Sequence, residues 1–116
     1  MTAAGFRHVV LKLDGAIEGS HMGHPDFRLN GRIFATLHHG GRTGMVRLSP
    51  DEQQELVRER PDVFAPESGA WGRQGCTRVH LAHGDEEVVG AALTLAWQHA
   101  TAVPPKSRRR TKRGIS

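Results

Sequence analysis

An α+β fold, an antiparallel sheet with helices packed on one face, is what the apolar pattern predicts for this chain of 116 residues. Three observations carry the prediction. Apolar residues recur at helical spacing in three separated stretches, and short alternating runs stand between them. Consecutive runs are joined by tight, glycine-bearing turns, which connect antiparallel strands rather than parallel ones. Helices then segregate to one side of such a sheet.

The elements follow in order. Phe6, Val9, Val10 and Leu13 form one helical stripe, with Thr2 as cap and Asp14-Gly15 as stop. Ile17, Gly19 and His21 alternate as a weak edge strand before Gly23 and Pro25. Phe27 and Leu29, the turn pair Asn30-Gly31, then Ile33, Ala35 and Leu37 predict a hairpin. After the glycine-rich loop from His39 to Gly44, a strand runs from Met45 to Leu48. Ser49-Pro50-Asp51-Glu52 predicts a capping box with proline at the first helical position, opening a helix that Pro61 stops. Val63 to Gly75 is expected as loop or short strand, and Thr77, Val79 and Leu81 as the last strand. Gly84-Asp85 opens a final helix through Val88, Val89, Ala92, Leu95, Ala96 and His99.

Charge divides the chain. Sixteen Lys and Arg oppose twelve Asp and Glu, for a net +4. Six of the sixteen, Lys106, Arg108, Arg109, Arg110, Lys112 and Arg113, crowd the last eleven residues, leaving residues 1–105 with ten basic against twelve acidic side chains. The predicted organisation is one domain over 1–103 and a disordered basic tail over 104–116. No apolar run approaches the roughly 18 to 20 residues of a transmembrane helix, so no membrane partner is expected. The N-terminus lacks a signal-peptide pattern and Cys76 stands alone, which together predict a cytoplasmic protein, expected to be a monomer.

With the helices on one face, alternation sends Asp26, Arg28, Arg32, Phe34, Thr36, His38, Met45, Arg47, Cys76, Arg78 and His80 outward. Arginine suits phosphate, and Phe34 is placed to stack on an exposed base. A merely solvated sheet face produces the same pattern. Parity depends on the turn. A two-residue type I′ turn at Asn30-Gly31 puts Leu29 and Arg32 on the same face, whereas a three-residue loop with Gly31 as bulge keeps Arg28 and Arg32 outside. The second separates polar from apolar residues better and is the expectation.

Catalytic patterns are weak. His21 and His24, and His80 and His83, form H-x-x-H pairs, but a zinc site needs about three convergent ligands. On an extended segment that spacing splits the two rings unless a turn intervenes, which makes His21 and His24 the better pair. Ser20, Ser49 and Ser68 lack a nucleophile elbow, no glycine stretch matches a phosphate-binding loop, and Cys76 is expected as a packing residue. Neither an enzyme nor a bound cofactor is predicted. Trp71 and Trp97 are expected as core or rim anchors, and Arg73 and Gln74, between glycines, as a presented recognition loop or as ordinary polar turn residues. Six phosphates neutralised by the tail give a log–log salt slope of roughly −5 on duplex DNA.

The segment Gly19-Ser20-His21-Met22-Gly23-His24-Pro25-Asp26-Phe27-Arg28-Leu29-Asn30-Gly31-Arg32-Ile33-Phe34-Ala35-Thr36-Leu37 resembles the signature of the MmcQ/YjbR family. Leu48 to Leu56 and Trp71-Gly72-Arg73-Gln74-Gly75-Cys76-Thr77-Arg78-Val79 resemble its later blocks in the same order. The resemblance implies a CyaY-like (frataxin-like) two-layer sandwich, often labelled a double-wing DNA-binding fold, in a small bacterial protein without a recognised catalytic site. Cys76 stands where members commonly have an aromatic residue, and the basic tail is no part of the pattern. The acidic first helix that iron binding would call for is missing, so iron delivery is not expected. The expected function is a DNA- or nucleic-acid-binding domain using Arg28, Arg32, Phe34, Arg47, Arg73, Arg78 and His80, with the basic tail. The alternative is an adaptor that takes a protein or a small anionic ligand on the same face.

Overall fold

The computed structural model describes residues 1–102; the predicted basic tail, with Lys106, Arg108, Arg109, Arg110, Lys112 and Arg113, lies outside the described residues. The first helix, α1 (Ala3–Leu11), starts where the Thr2 hydroxyl accepts the Gly5 N–H at 3.0 Å. It buries Phe6 and Val10. Strands β1 (Ile17–His21), β2 (His24–Leu29), β3 (Arg32–Leu37) and β4 (Thr43–Arg47) follow, the last two separated by a 3-10 turn at His39–Gly41. Helix α2 (Pro50–Glu59) has the predicted capping box: Glu52 N–H donates to Ser49 Oγ at 3.1 Å, and Ser49 N–H donates to Glu52 Oε1 at 2.9 Å. Then come β5 (Phe64–Pro66), a one-turn helix α3 (Gly69–Arg73), β6 (Cys76–His80) and the long α4 (Glu86–Ala102). Asp85 Oδ1 accepts the Val88 N–H at 2.9 Å, satisfying a donor at the start of α4.

The six strands lie in the order β1-β2-β3-β4-β6-β5, and every neighbouring pair is antiparallel. Helices α1 and α4 pack on each other, and α4 lies across β2, β3 and β4. The core between them holds Phe6, Phe27, Phe34, Val46, Leu48, Val79, Leu81 and Leu93, all nearly or fully buried. The two-layer α+β class is therefore as expected.

Parity in β3 differs from the expectation. Asn30 and Gly31 have φ of 54° and 79°, the left-handed pair a type I′ turn requires, and Leu29 pairs directly with Arg32. The three-residue loop is absent. Arg32 consequently falls on the helix side, in a small recess with Ala96, His99 and Ala100 of α4. Alternation is then reset inside the strand. Phe27 pairs with Ala35 and Arg28 with Ile33, so Phe34 is an extra residue on β3, a β-bulge. Phe34 and Ala35 both go to the core, at 1% and 0% exposure. Ile33 instead lines the open face. Three placements are corrected by this pair of features: Arg32 and Phe34 leave the open face, and Ile33 joins it. From Ala35 onward the strand alternates as expected.

The segment before β6 is held by close backbone approaches. A side chain at Gly72 would overlap the Glu67 carbonyl, and one at Gly75, whose φ is 111°, would overlap the Leu48 carbonyl. The buried Gln53 amide of α2 donates toward Gly72 O at 3.0 Å, Cys76 O at 2.9 Å and Thr77 Oγ1 at 3.2 Å. One side chain thus satisfies carbonyls on both sides of the Gly72–Gly75 turn.

Two stability outcomes follow. Phe34→Ala should cost about 3–5 kcal/mol in urea unfolding, the penalty of emptying a packed core position, rather than the near-zero change of an exposed stacking ring. Gly75→Ala should destabilise by about 3 kcal/mol or more in the same assay, since both its backbone angle and the Leu48 carbonyl oppose a methyl group.

Candidate binding face

The face of the sheet away from α1 and α4 is built by the outward residues of β2, β3, β4 and β6. A groove of about 380 Å³ runs over it, lined by Ile33, Thr36, His38, Met45, Arg47, Glu67, Ser68, Trp71 and Cys76. Its floor is apolar where Ile33 and Met45 lie, and α3 stands at its margin carrying Trp71. That indole is 64% exposed. Trp71 is thus a rim residue rather than a core anchor, whereas Trp97 donates its Nε1–H to Asp14 O at 2.7 Å.

The polar side of the groove is organised by one carboxylate. Glu67 Oε1 accepts from Arg78 Nη2 at 2.9 Å and from Arg78 Nε at 3.2 Å. Its other oxygen lies 3.5 Å from His38 Nε2, while His38 Nδ1 meets Thr43 Oγ1 at 2.8 Å. Burial pushes the His38 imidazole below its ordinary pKa; Glu67 pulls it back up, and Arg78 and His24 add to the depression. Burial likewise pushes the Cys76 thiol up, against a lowering by Arg47 and with a further rise from Glu67. A raised, buried thiol is a packing group, as expected for Cys76.

The predicted arginines separate into distinct roles. Arg28 is bidentate to the fully buried Asp26, at 2.8 and 3.1 Å, and Gly19 opposite leaves room for this pair. Arg78 is committed to Glu67. Arg47 belongs to none of the ion pairs formed among the described residues and reaches both the groove and the recess beside Arg32. Arg73 is exposed at the end of α3, and His80 is half-buried, its ring 6.4 Å from that of His83. The structure therefore brings Arg28, Arg47 and Arg78 to one face, with Arg73 and His80 near its margins and Arg32 and Phe34 behind it.

Of the nine residues that line the groove, Arg47 alone was an expected site residue; His38, Glu67, Trp71 and Met45 are among the eight that were not. Trp71 did carry a signal. Glu67, Ser68, Gln74 and Gly75 occupy the positions three and four residues away, so no apolar partner shares a helical face with the indole. Glu67 carried none, because its pairing with Arg78 joins β6 to the loop after β5 across the sheet edge.

The His38 ring should titrate below the ordinary histidine range in an NMR pH titration. The Glu67→Gln variant should move it lower still, because the upward pull of the carboxylate is lost while Arg78 remains; a rise in E67Q would contradict this geometry.

Among the described residues no group of three or more His, Cys, Asp and Glu is gathered for a metal ion, and no helix is long and apolar enough to cross a membrane. No curated protein matches the chain. A crystal structure of Deinococcus radiodurans protein DR2400, described as a DUF419 domain, is similar with a TM-score of 0.75. It shares 18% identity over 95% of this chain and 86% of that one, a likeness of fold. The YjbR family model matches residues 11–99, spanning β1 to nearly the end of α4 and every residue of the groove. The chain belongs to the YjbR family.

Proposed function

We propose that the chain is a non-enzymatic nucleic-acid-binding domain that takes unpaired nucleotides on its open sheet face. The observation that carries the reading is the exposed Trp71 indole standing at the edge of the groove, with Arg47 lining the same groove. An aromatic face accepts any base by stacking, and a guanidinium takes a phosphate; together they form the minimal platform for single-stranded nucleic acid. Trp71 assumes the stacking role that Phe34, buried in the core, does not offer. Duplex DNA suits the face less well. Two of its arginines are already neutralised by Asp26 and Glu67, and residues 1–105 carry a slight acidic excess. The six basic residues of 106–113 add sequence-independent, salt-sensitive affinity. A cytoplasmic location suits this role.

A second reading has its own support. The apolar floor at Ile33 and Met45 and the 380 Å³ volume are of the size that encloses a small planar anion. In that reading the same Trp71 and Arg47 hold a free ligand, and the domain is an adaptor.

Fluorescence anisotropy separates these. With a labelled single-stranded oligonucleotide at two salt concentrations, Trp71→Ala should weaken binding by about 1–3 kcal/mol, roughly five- to 150-fold. Arg47→Gln should weaken it as well, and a full-length chain with its six tail cations changed to Ser should lose affinity mainly at low salt. Binding unaffected by W71A and R47Q would overturn the nucleic-acid reading, and tighter binding of duplex than of single strand would overturn its restriction to unpaired nucleotides.

A further inference from the structure

The H-x-x-H pair that the groove leaves unused lies at the other end of the sheet. Residues 21 and 24 flank a two-residue turn, Met22-Gly23, whose φ values of 51° and 83° are both left-handed. The register makes positions 21 and 24 a directly opposed pair on β1 and β2. The 3-10 turn after β3 brings a further histidine to the same place. His39 packs on His24 with ring centres 4.1 Å apart and planes inclined by 57°. Its Nε2 edge faces Gly23, whose missing Cβ would sit 3.9 Å from that nitrogen. Gly40 and Gly41, with φ of 85° and 67°, fold the chain back just behind it.

Two features mark this corner as a ligand site rather than a chance contact. His24 Nδ1 is buried and has no hydrogen-bond partner, a state that folded proteins rarely leave uncorrected. Beside the rings lies an open recess of about 280 Å³, lined by Ala3, Ala4, Arg7, His24, His38 and His39 among others, with no carboxylate in its wall. Arg7, the one permanent cation there, is held in a bidentate pair by Glu18 at 3.0 Å. His38 is engaged by Thr43 and Glu67.

We propose that His24 and His39 form an exchangeable site for a divalent transition metal, with solvent or an exogenous ligand filling the remaining positions from the recess. A zinc ion requires one nitrogen of each imidazole at roughly 2.0–2.1 Å, so the two rings, whose centres stand 4.1 Å apart, must turn a nitrogen each toward one point when the ion binds. Neutral imidazoles without carboxylate oxygens select zinc, nickel or copper and reject magnesium and calcium. The site is separate from the groove and does not rest on the nucleic-acid reading.

The test uses full-length protein without an affinity tag, stripped with chelator and titrated with zinc chloride by isothermal calorimetry at pH 7.5. One ion per chain is expected, with no heat from magnesium chloride. His24→Ala and His39→Ala should each weaken zinc binding at least tenfold, while His8→Ala and His83→Ala should leave it unchanged. Metal-free melting curves of the variants establish that they are folded; should H24A not fold, His24→Gln takes its place. Absence of zinc binding, or binding that survives in the H24A/H39A double variant, would overturn the proposal.

Discussion

The make-up of the open sheet face depends on one skipped residue in β3. A type I′ turn is the tightest closure available to the β2–β3 hairpin, and Asn30-Gly31 supplies it. That closure obliges Leu29 and Arg32 to share a side, which would throw every later residue of β3 onto the wrong face. The bulge at Phe34 absorbs the error within two residues. It spends an aromatic side chain in the core and returns Thr36 and His38 to the open face, where the groove needs them. Turn and bulge are a matched pair, and neither is compatible with the rest of the sheet without the other.

Much of the fold was legible in the residues because several local signals agreed at each element. The Thr2 cap and the Ser49–Glu52 box stand as the sequence placed them, and the hairpin turns at Asn30-Gly31, though by a two-residue turn and not the expected three-residue loop; the position of each is settled by groups within four residues of one another. The family resemblance was legible for the same reason: its motifs are runs of contiguous residues. What was not legible is what depends on parity across strands. A bulge leaves no mark in a single strand's alternation when both residues around it are apolar, as Phe34 and Ala35 are. Helix α3 was missed because a five-residue helix built around Gly69 and Gly72 has no periodicity to show, and Glu67 because its partners are 11 and 29 residues distant.

The open face is less a cationic patch than a set of charges already answered. Asp26 gives Arg28 a fixed orientation, and Glu67 does the same for Arg78 while holding His38. Each buried or half-buried carboxylate removes most of the long-range pull of its arginine but keeps the guanidinium rigid and its remaining N–H groups aimed. Such a surface trades encounter rate for geometric selectivity. On the proposed nucleic-acid reading, long-range attraction falls to the six basic residues of 106–113, and capture and discrimination are divided between two parts of one chain.

The Gln53 amide has a bearing on how any survey of this surface is interpreted. It sits on the helix side of the sheet, yet the carbonyls it holds, Gly72 O within the helix that presents Trp71 and Cys76 O at the start of β6, flank the turn that follows that helix. The indole's position is therefore underwritten from behind, through the thickness of the domain. A residue outside the groove can in this way behave in a mutational map as though it lined it, and the footprint recovered from loss of binding will extend through the sheet to its opposite face.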